Sequence, residues 1–195
     1  TKSVDSLYQK AVHALEVKKY EAAINYIEEA EHLAPDNTSL FLLHAEIQSK
    51  LINKAGIFSI RGYFVGMREN LEKVLSLEPQ HIKAKHLLVE LYMMLPGFLG
   101  GDEERAHDLV DQLSQQSLVE GKIASAAVHV HKEAPEKAIE VLQAVVKTEP
   151  QRIDARLTLA ELLNNAGHSQ QALNHYIEAS SSLQKRNLND RKSKA

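Results

Sequence analysis

The sequence contains no cysteine and no tryptophan, and phenylalanine and tyrosine together supply 5% of its 195 residues. Without cysteine neither a disulfide framework nor a thiolate metal site can form. Every apolar run is far shorter than the ~20 residues needed to cross a bilayer as a helix. No secretory signal peptide is visible, although the chain begins with Thr1 in place of methionine, so a leader removed by processing or by cloning fits the sequence. A basic excess is lacking as well. The formal charge is -3, and residues 1–182 carry 18 basic against 25 acidic side chains. Nucleic acid is therefore excluded as a partner, because phosphate binding needs a basic stripe and stacking aromatics.

Catalytic constellations are also missing. The ten histidines are scattered. His129 and His131 stand two apart on a helix and point in different directions, and no His-Glu-x-x-His spacing occurs. The serines near Ser180 have neither a base nor a nucleophile elbow. The pair Gly100-Gly101 is followed by Asp102, Glu103 and Glu104, with no lysine or hydroxyl residue to complete a phosphate cradle. The expectation is a protein without catalysis, cofactor or metal, of sufficient length for one continuous core.

What the chain does have is periodicity. Between Pro150 and Ala179, the residues Ala155, Leu159, Ala160, Leu163, Gly167, Ala172 and Tyr176 describe two short helices joined by a tight turn. The small residues of the first helix recur at Ala11, Ala45, Val89, Ala126 and Ala160, in steps of 34, 44, 37 and 34. Those of the second helix recur at Ala23, Met67, Ala106, Ala138 and Ala172, in steps of 44, 39, 32 and 34. One such unit cannot bury its own apolar face, so the pattern implies a stacked array. Pro35, Pro79 and Pro150 follow second helices, where proline ends a helix and opens the next turn.

These residues resemble the tetratricopeptide repeat (TPR) over about nine-tenths of the chain. The family's early tryptophan is replaced by Leu7, Phe41, Lys85, Lys122 and Arg156, and the third repeat ends at Leu118 without proline. The resemblance implies an all-α, right-handed TPR-like α-α superhelix of about five helix-turn-helix repeats, at residues 4–37, 38–81, 82–118, 119–152 and 153–182. These would form a single domain, 1–182. Residues 183–195 form a basic, polar tail, in which Leu183 and Leu188 would cover the last repeat and the chain beyond about Leu188 would be disordered.

Two inserts interrupt the period. The first, between Gln48 and Met67, carries Ile57, Phe58, Ser59, Ile60, Tyr63 and Phe64 among Gly56, Gly62 and Gly66. Ile60, Phe64, Met67, Leu71 and Val74 follow helical spacing and predict a long second helix that starts at a Ser59 cap. Gly62 and Gly66 are either a small-residue packing pair or two tolerated glycines. The second insert lies within residues 94–102, where Asp102 is a good helix cap. Its proline-glycine-phenylalanine and glycine-glycine signature is similar to that of bacterial TPR proteins directed to the cell envelope, which would place the chain in a periplasm or envelope if a leader preceded it. Phe98 and Leu99 are expected to fold onto residues 57–64 as a satellite core, since burying such side chains is worth ~1.5 to 3 kcal/mol each. Part of that edge could stay open for binding.

In the TPR family the first helices line a concave groove. The matching positions include Tyr8; Leu42 and Glu46; Lys83, His86, Glu90 and Met93; Ile123; and Leu157 and Glu161. Glu46, Glu90 and Glu161 share one repeat position, and carboxylates beside leucine, isoleucine and methionine suit a basic or amphipathic peptide, or else form a solvated face. The family's clamp for a terminal carboxylate is not present: its positions are Tyr8, Val12, Leu43, Lys83 and Leu87, of which Lys83 alone fits. The implied function is a non-catalytic scaffold that binds a peptide or protein segment in the groove, at the insert edge, or both. The alternatives are a holder of a small apolar ligand with the inserts as lid, and a self-assembling structural subunit.

Overall fold

The computed structural model describes residues 3–54 and 56–193, apart from the side chains of residues 57, 58 and 187–193. Among these residues there are ten α-helices, one short 3-10 turn and no strand. The helices are α1 (Val4–Glu16), α2 (Tyr20–Leu33), α3 (Thr38–Ile52), α4 (Ile57–Leu77), α5 (Ile82–Met94), α6 (Glu103–Gln116), α7 (Leu118–His131), α8 (Pro135–Thr148), α9 (Ile153–Asn165) and α10 (Ser169–Ser193). The 3-10 turn, Gly97–Leu99, lies between α5 and α6. Ten helices amount to about five helix pairs, the number that the small-residue spacing predicts.

Local chemistry sets most helix starts. Ser3, Asn37, His81, Asp102 and Ser117 each accept a hydrogen bond from a backbone N–H of the first turn, as N-caps do. Pro135 opens α8, where its missing N–H removes no helical bond. The hairpin turns of repeats one, four and five share one device. Lys18 (φ 60), Glu133 (φ 54) and Gly167 (φ 85) occupy the left-handed region two residues ahead of the second helix. Only the last of the three is glycine, so the other two hold the turn at a backbone cost.

The chain divides into two compact units, Thr1–Leu109 and Val110–Ala195. In the first, α1 packs on α2, α2 on α3, α3 on α4 and α4 on α5. Its core centres on Leu7, Ile27, Leu40 and Ile47, with Ala11, Ala23 and Ala30 fully buried where helices cross. In the second, α7, α8, α9 and α10 pack in succession around Leu142, Val145, Leu159 and Leu163, with Ala126, Ala138 and Ala172 at the crossings. Of the ten small-residue positions read from the period, nine are buried; Met67 is half-buried. At the eight of these that are alanine a larger side chain would push the helices apart, which is why the pattern is so regular.

Two sequence expectations are corrected, and one open alternative is resolved. Helix α4 begins at Ile57 behind Gly56, not at Ser59; the Ser59 hydroxyl instead donates to the Gly56 carbonyl at 3.2 Å. A serine already inside the first turn satisfies itself on the preceding carbonyl and does not cap. The expected extra length is present, since α4 has 21 residues where the other helices before α10 have 13 to 15. At the other end, α10 continues for 25 residues to Ser193, in place of disorder beyond Leu188. Thirdly, Gly62 and Gly66 are not a pair: Gly62 faces open space, whereas Gly66 abuts the buried side chain of Gln48.

Candidate functional site

The first helices of the amino-terminal unit present a face with two recesses. One, of about 360 Å³, lies between α1 and α3 and is lined by Asp5, Tyr8, Asn37 and Ser39 among others. The second, of about 180 Å³, is lined by Leu42, Ala45, Glu46 and Ser49 of α3, Met67 of α4, and Lys83 and Leu87 of α5. Four of the predicted groove residues, Tyr8, Leu42, Glu46 and Lys83, therefore line recesses. Leu42, Ala45, Met67 and Leu87 make the second one apolar, and Glu46 and Lys83 add one charge of each sign. His86, Glu90 and Met93 follow on α5 outside both recesses, with Glu90 exposed and the other two half-buried.

In the carboxy-terminal unit, Ile123 of α7 is half-buried against the core, while Leu157 and Glu161 of α9 are exposed. Sequence reasoning missed the residue that dominates the electrostatics here. Arg152 donates to Glu120 at 2.6 Å and to Asp154 at 2.8 and 3.0 Å. Hydrogen bonds from Arg152 hold the Asp154 carboxyl below the usual range, against the opposing effect of burial. One guanidinium thus pairs with two acidic groups of this face. An arginine two residues before the aspartate it pairs with was the available signal. Arg156, at the family's tryptophan position, is buried; it donates to the Pro150 carbonyl at 3.0 Å and pairs with Glu178.

The insert edge is built around a carboxylate. Glu72 of α4 accepts from the Tyr92 hydroxyl at 2.6 Å and from Arg105 at 2.8 Å, and the Arg105 guanidinium lies 4.8 Å from the Tyr92 ring centre. Burial and the bond to Glu72 raise the Tyr92 pKa. This links α4, α5 and α6. The 3-10 turn between α5 and α6 lies next to α4, and Gly100 just after it, at φ 96, sits against the Arg68 guanidinium. The turn is closed by bonds from Leu99 N and Gly101 N to the Pro96 carbonyl, at 2.9 and 3.2 Å, and from Asp102 N to the Tyr92 carbonyl at 3.1 Å.

That geometry overturns the burial expected of Phe98, which is 79% exposed. The backbone bonds that close the turn leave the phenyl group in solvent, and Leu99 is only half-buried. Ile60, Tyr63 and Phe64 are half-buried on α4, with Tyr63 packed against the core of the amino-terminal unit. The side chains of Ile57 and Phe58 lie outside the described residues. Among the described residues no cluster of histidine and carboxylates stands where it could hold a metal ion, and no helix is long and apolar enough to cross a membrane.

Helix hairpins stacked through small residues, with recesses between successive first helices, define an all-helical repeat protein of the class that generally serves as interaction scaffolds. Two stretches of the chain, residues 4–37 and 130–188, match tetratricopeptide-repeat families. Its fold is similar to that of TTC0263, a thermophilic TPR protein of Thermus thermophilus, at 20% identity and a TM-score of 0.64 over 98% of both chains. It is also similar to MamA, at 16% identity and a TM-score of 0.56 over 94% of this chain and 93% of the other. A third neighbour is PilW, a widely conserved type IV pilus biogenesis factor, at 19% identity and a TM-score of 0.57 over 93% and 78%. No curated protein matches the chain in sequence.

Proposed function

We propose that this protein is a non-catalytic scaffold that holds a peptide or protein segment against the face made by α1, α3 and α5. The observation that supports the reading is the recess at Leu42, Ala45, Met67 and Leu87, flanked by Glu46 and Lys83. An apolar side chain of a bound segment would fill it, and the two charges would set the segment's direction, with Glu46 taking a basic residue and Lys83 an acidic group or a carbonyl. A location in a bacterial envelope belongs to the same proposal, and the likeness to PilW supports it at the level of fold alone.

The test is selection of peptides from a random displayed library on the wild-type protein, followed by titration of the selected peptides into Leu87→Asp and Glu46→Arg. The expected result is an affinity loss of roughly tenfold or more for each variant at unchanged helicity, because central apolar anchors and close charges carry most of such binding energy. Equal affinity for both variants and the wild type would remove the α1-α3-α5 face from the proposal.

A further inference from the structure

We infer that the turn at residues 96–101 is a docking knob for a second copy of this chain, and that Phe98 enters the recess at the outer side of α1 and α2. This goes beyond the groove reading and does not depend on it. Phe98 is 79% exposed and its neighbour Met94 is 50% exposed. Their backbone is over-determined. A Cβ on Gly101 would overlap the Leu95 carbonyl and stand 3.1 Å from the Tyr92 carbonyl oxygen, and one on Gly100 would overlap Arg68. The Glu72 cluster fixes the helices on either side. An aromatic side chain held rigidly in water has already lost its backbone freedom, which is what an anchor residue needs.

A complementary surface lies on the same molecule. Between α1 and α2 is an open recess of about 590 Å³, whose apolar part is formed by Ala14, Val17, Ala22 and Tyr26. Its polar lining includes Lys10 and Lys19 and contains no carboxylate. Lys10 lies 5.8 Å from the Tyr26 ring centre, which keeps one cation at the edge of the apolar surface. The knob has the opposite sign: Asp102 caps α6, and Glu103 and Glu104 follow at once in its exposed first turn. A phenyl group fits the recess, and the acidic turn behind it would meet the two lysines. Knob and recess are different surfaces, so the contact is head-to-tail and each copy can both give and receive.

Sedimentation measurements on the whole chain test this. The weight-average mass of the wild type should rise with concentration over roughly 1 to 500 µM, and less steeply at high salt. Phe98→Ala should weaken the association about tenfold or more. Val17→Asp, which places a charge in the recess at an exposed position, should do the same. Since the first variant keeps the recess and the second keeps the knob, a mixture of the two should form a 1:1 dimer that grows no further. If Val17→Asp unfolds, Lys10→Glu with Lys19→Glu, whose recess repels the acidic turn, takes its place in the mixture with Phe98→Ala. A wild type that stays monomeric, a Phe98→Ala variant that associates like the wild type, or a mixture without dimers overturns the inference. Peptide capture by the α3 and α5 recess is a separate readout, so either proposal can fail alone.

Discussion

Two glycines on α4 allow the crossing of α3 and α4 to be tested at one atom's resolution. Gly62 has nothing within 4 Å of an added Cβ. Replacing it by alanine in a helix interior should therefore return the full propensity difference, about 1 kcal/mol. For a chain of this size that is a rise of about 2 to 4 °C in Tm. Gly66 starts with the same gain, but its Cβ would overlap the Gln48 amide nitrogen and stand 3.2 Å from its Cδ. Gln48 is 7% exposed, and its Oε1 accepts from Asn70 at 3.0 Å. Pushing that amide aside loses a bond worth about 1 kcal/mol and leaves buried polar atoms short of partners at a further ~1 to 3 kcal/mol. The sum is a net loss of roughly 1 to 3 kcal/mol for Gly66→Ala. Denaturation followed by far-UV circular dichroism would give both numbers. The double variant Gly66→Ala/Gln48→Ala should recover stability relative to the sum of the singles, because the overlapping group is gone. If Gly66→Ala stabilises as much as Gly62→Ala, α3 and α4 do not cross as closely as described, and the placement of Glu46 and Met67 around one recess loses its support.

Four further outcomes follow from the same geometry. Gly97→Ala meets open space and should leave stability within about 0.5 kcal/mol, whereas Gly101→Ala, aimed at the Leu95 carbonyl, should cost at least ~2 kcal/mol in denaturation and abolish self-association. Glu133→Gly relieves a left-handed backbone and should raise stability by about 1 kcal/mol in thermal melts; an unchanged melt would mean that the turn is not strained. Arg156→Met should destabilise the carboxy-terminal unit by roughly 1 to 3 kcal/mol. In the same variant the pKa of His175, lowered first by burial and then by Arg156, should move up in an NMR titration. Asp154, whose folded pKa is depressed by Arg152, contributes stability above its unfolded value that is lost as pH falls through the folded one. Asp154→Asn should therefore melt below the wild type at neutral pH and converge with it as pH drops below about 3.9.

The period of small residues was legible because it answers to one geometric demand. Wherever two helices cross at close range only alanine or an equivalent fits, so Ala11, Ala23, Ala126, Ala138, Ala160 and Ala172 mark the repeats without help from the rest of the chain. The helix caps at Asn37, Asp102 and Ser117 are local and were within reach for the same reason. What could not be read depends on partners far away in sequence. Arg152 is an ordinary surface arginine until α7 brings Glu120 against it. Gly66 looks like Gly62 until α3 supplies Gln48. Phe98 was expected inside because phenylalanine usually is; nothing local says that the closed turn leaves it in solvent. The left-handed turns at Lys18 and Glu133 were missed because neither residue type advertises that conformation.

These turns also explain where the chain has departed from its repeat. In repeats one, four and five, three residues with one left-handed position close the hairpin. In repeats two and three the same corner carries the inserts. Lengthening a corner leaves the stacked small residues untouched, and the entropy of closing a loop grows only by about 0.6 kcal/mol for each doubling of its length. A helix interior offers no such freedom, because a single added residue would rotate every following side chain out of the core. Variation among repeats is thus channelled to one end of the hairpins, and there it is expensive in a different way. The chain has invested a half-buried carboxylate cluster, a glycine pair that tolerates no side chain and an extended α4 in holding that corner still. A corner serving only as a connection would need none of this, since a flexible loop joins α5 to α6 equally well. Rigidity at an exposed aromatic is the feature that separates this chain from a plain stack of repeats, and the Phe98→Ala sedimentation experiment is the measurement that bears on it most directly.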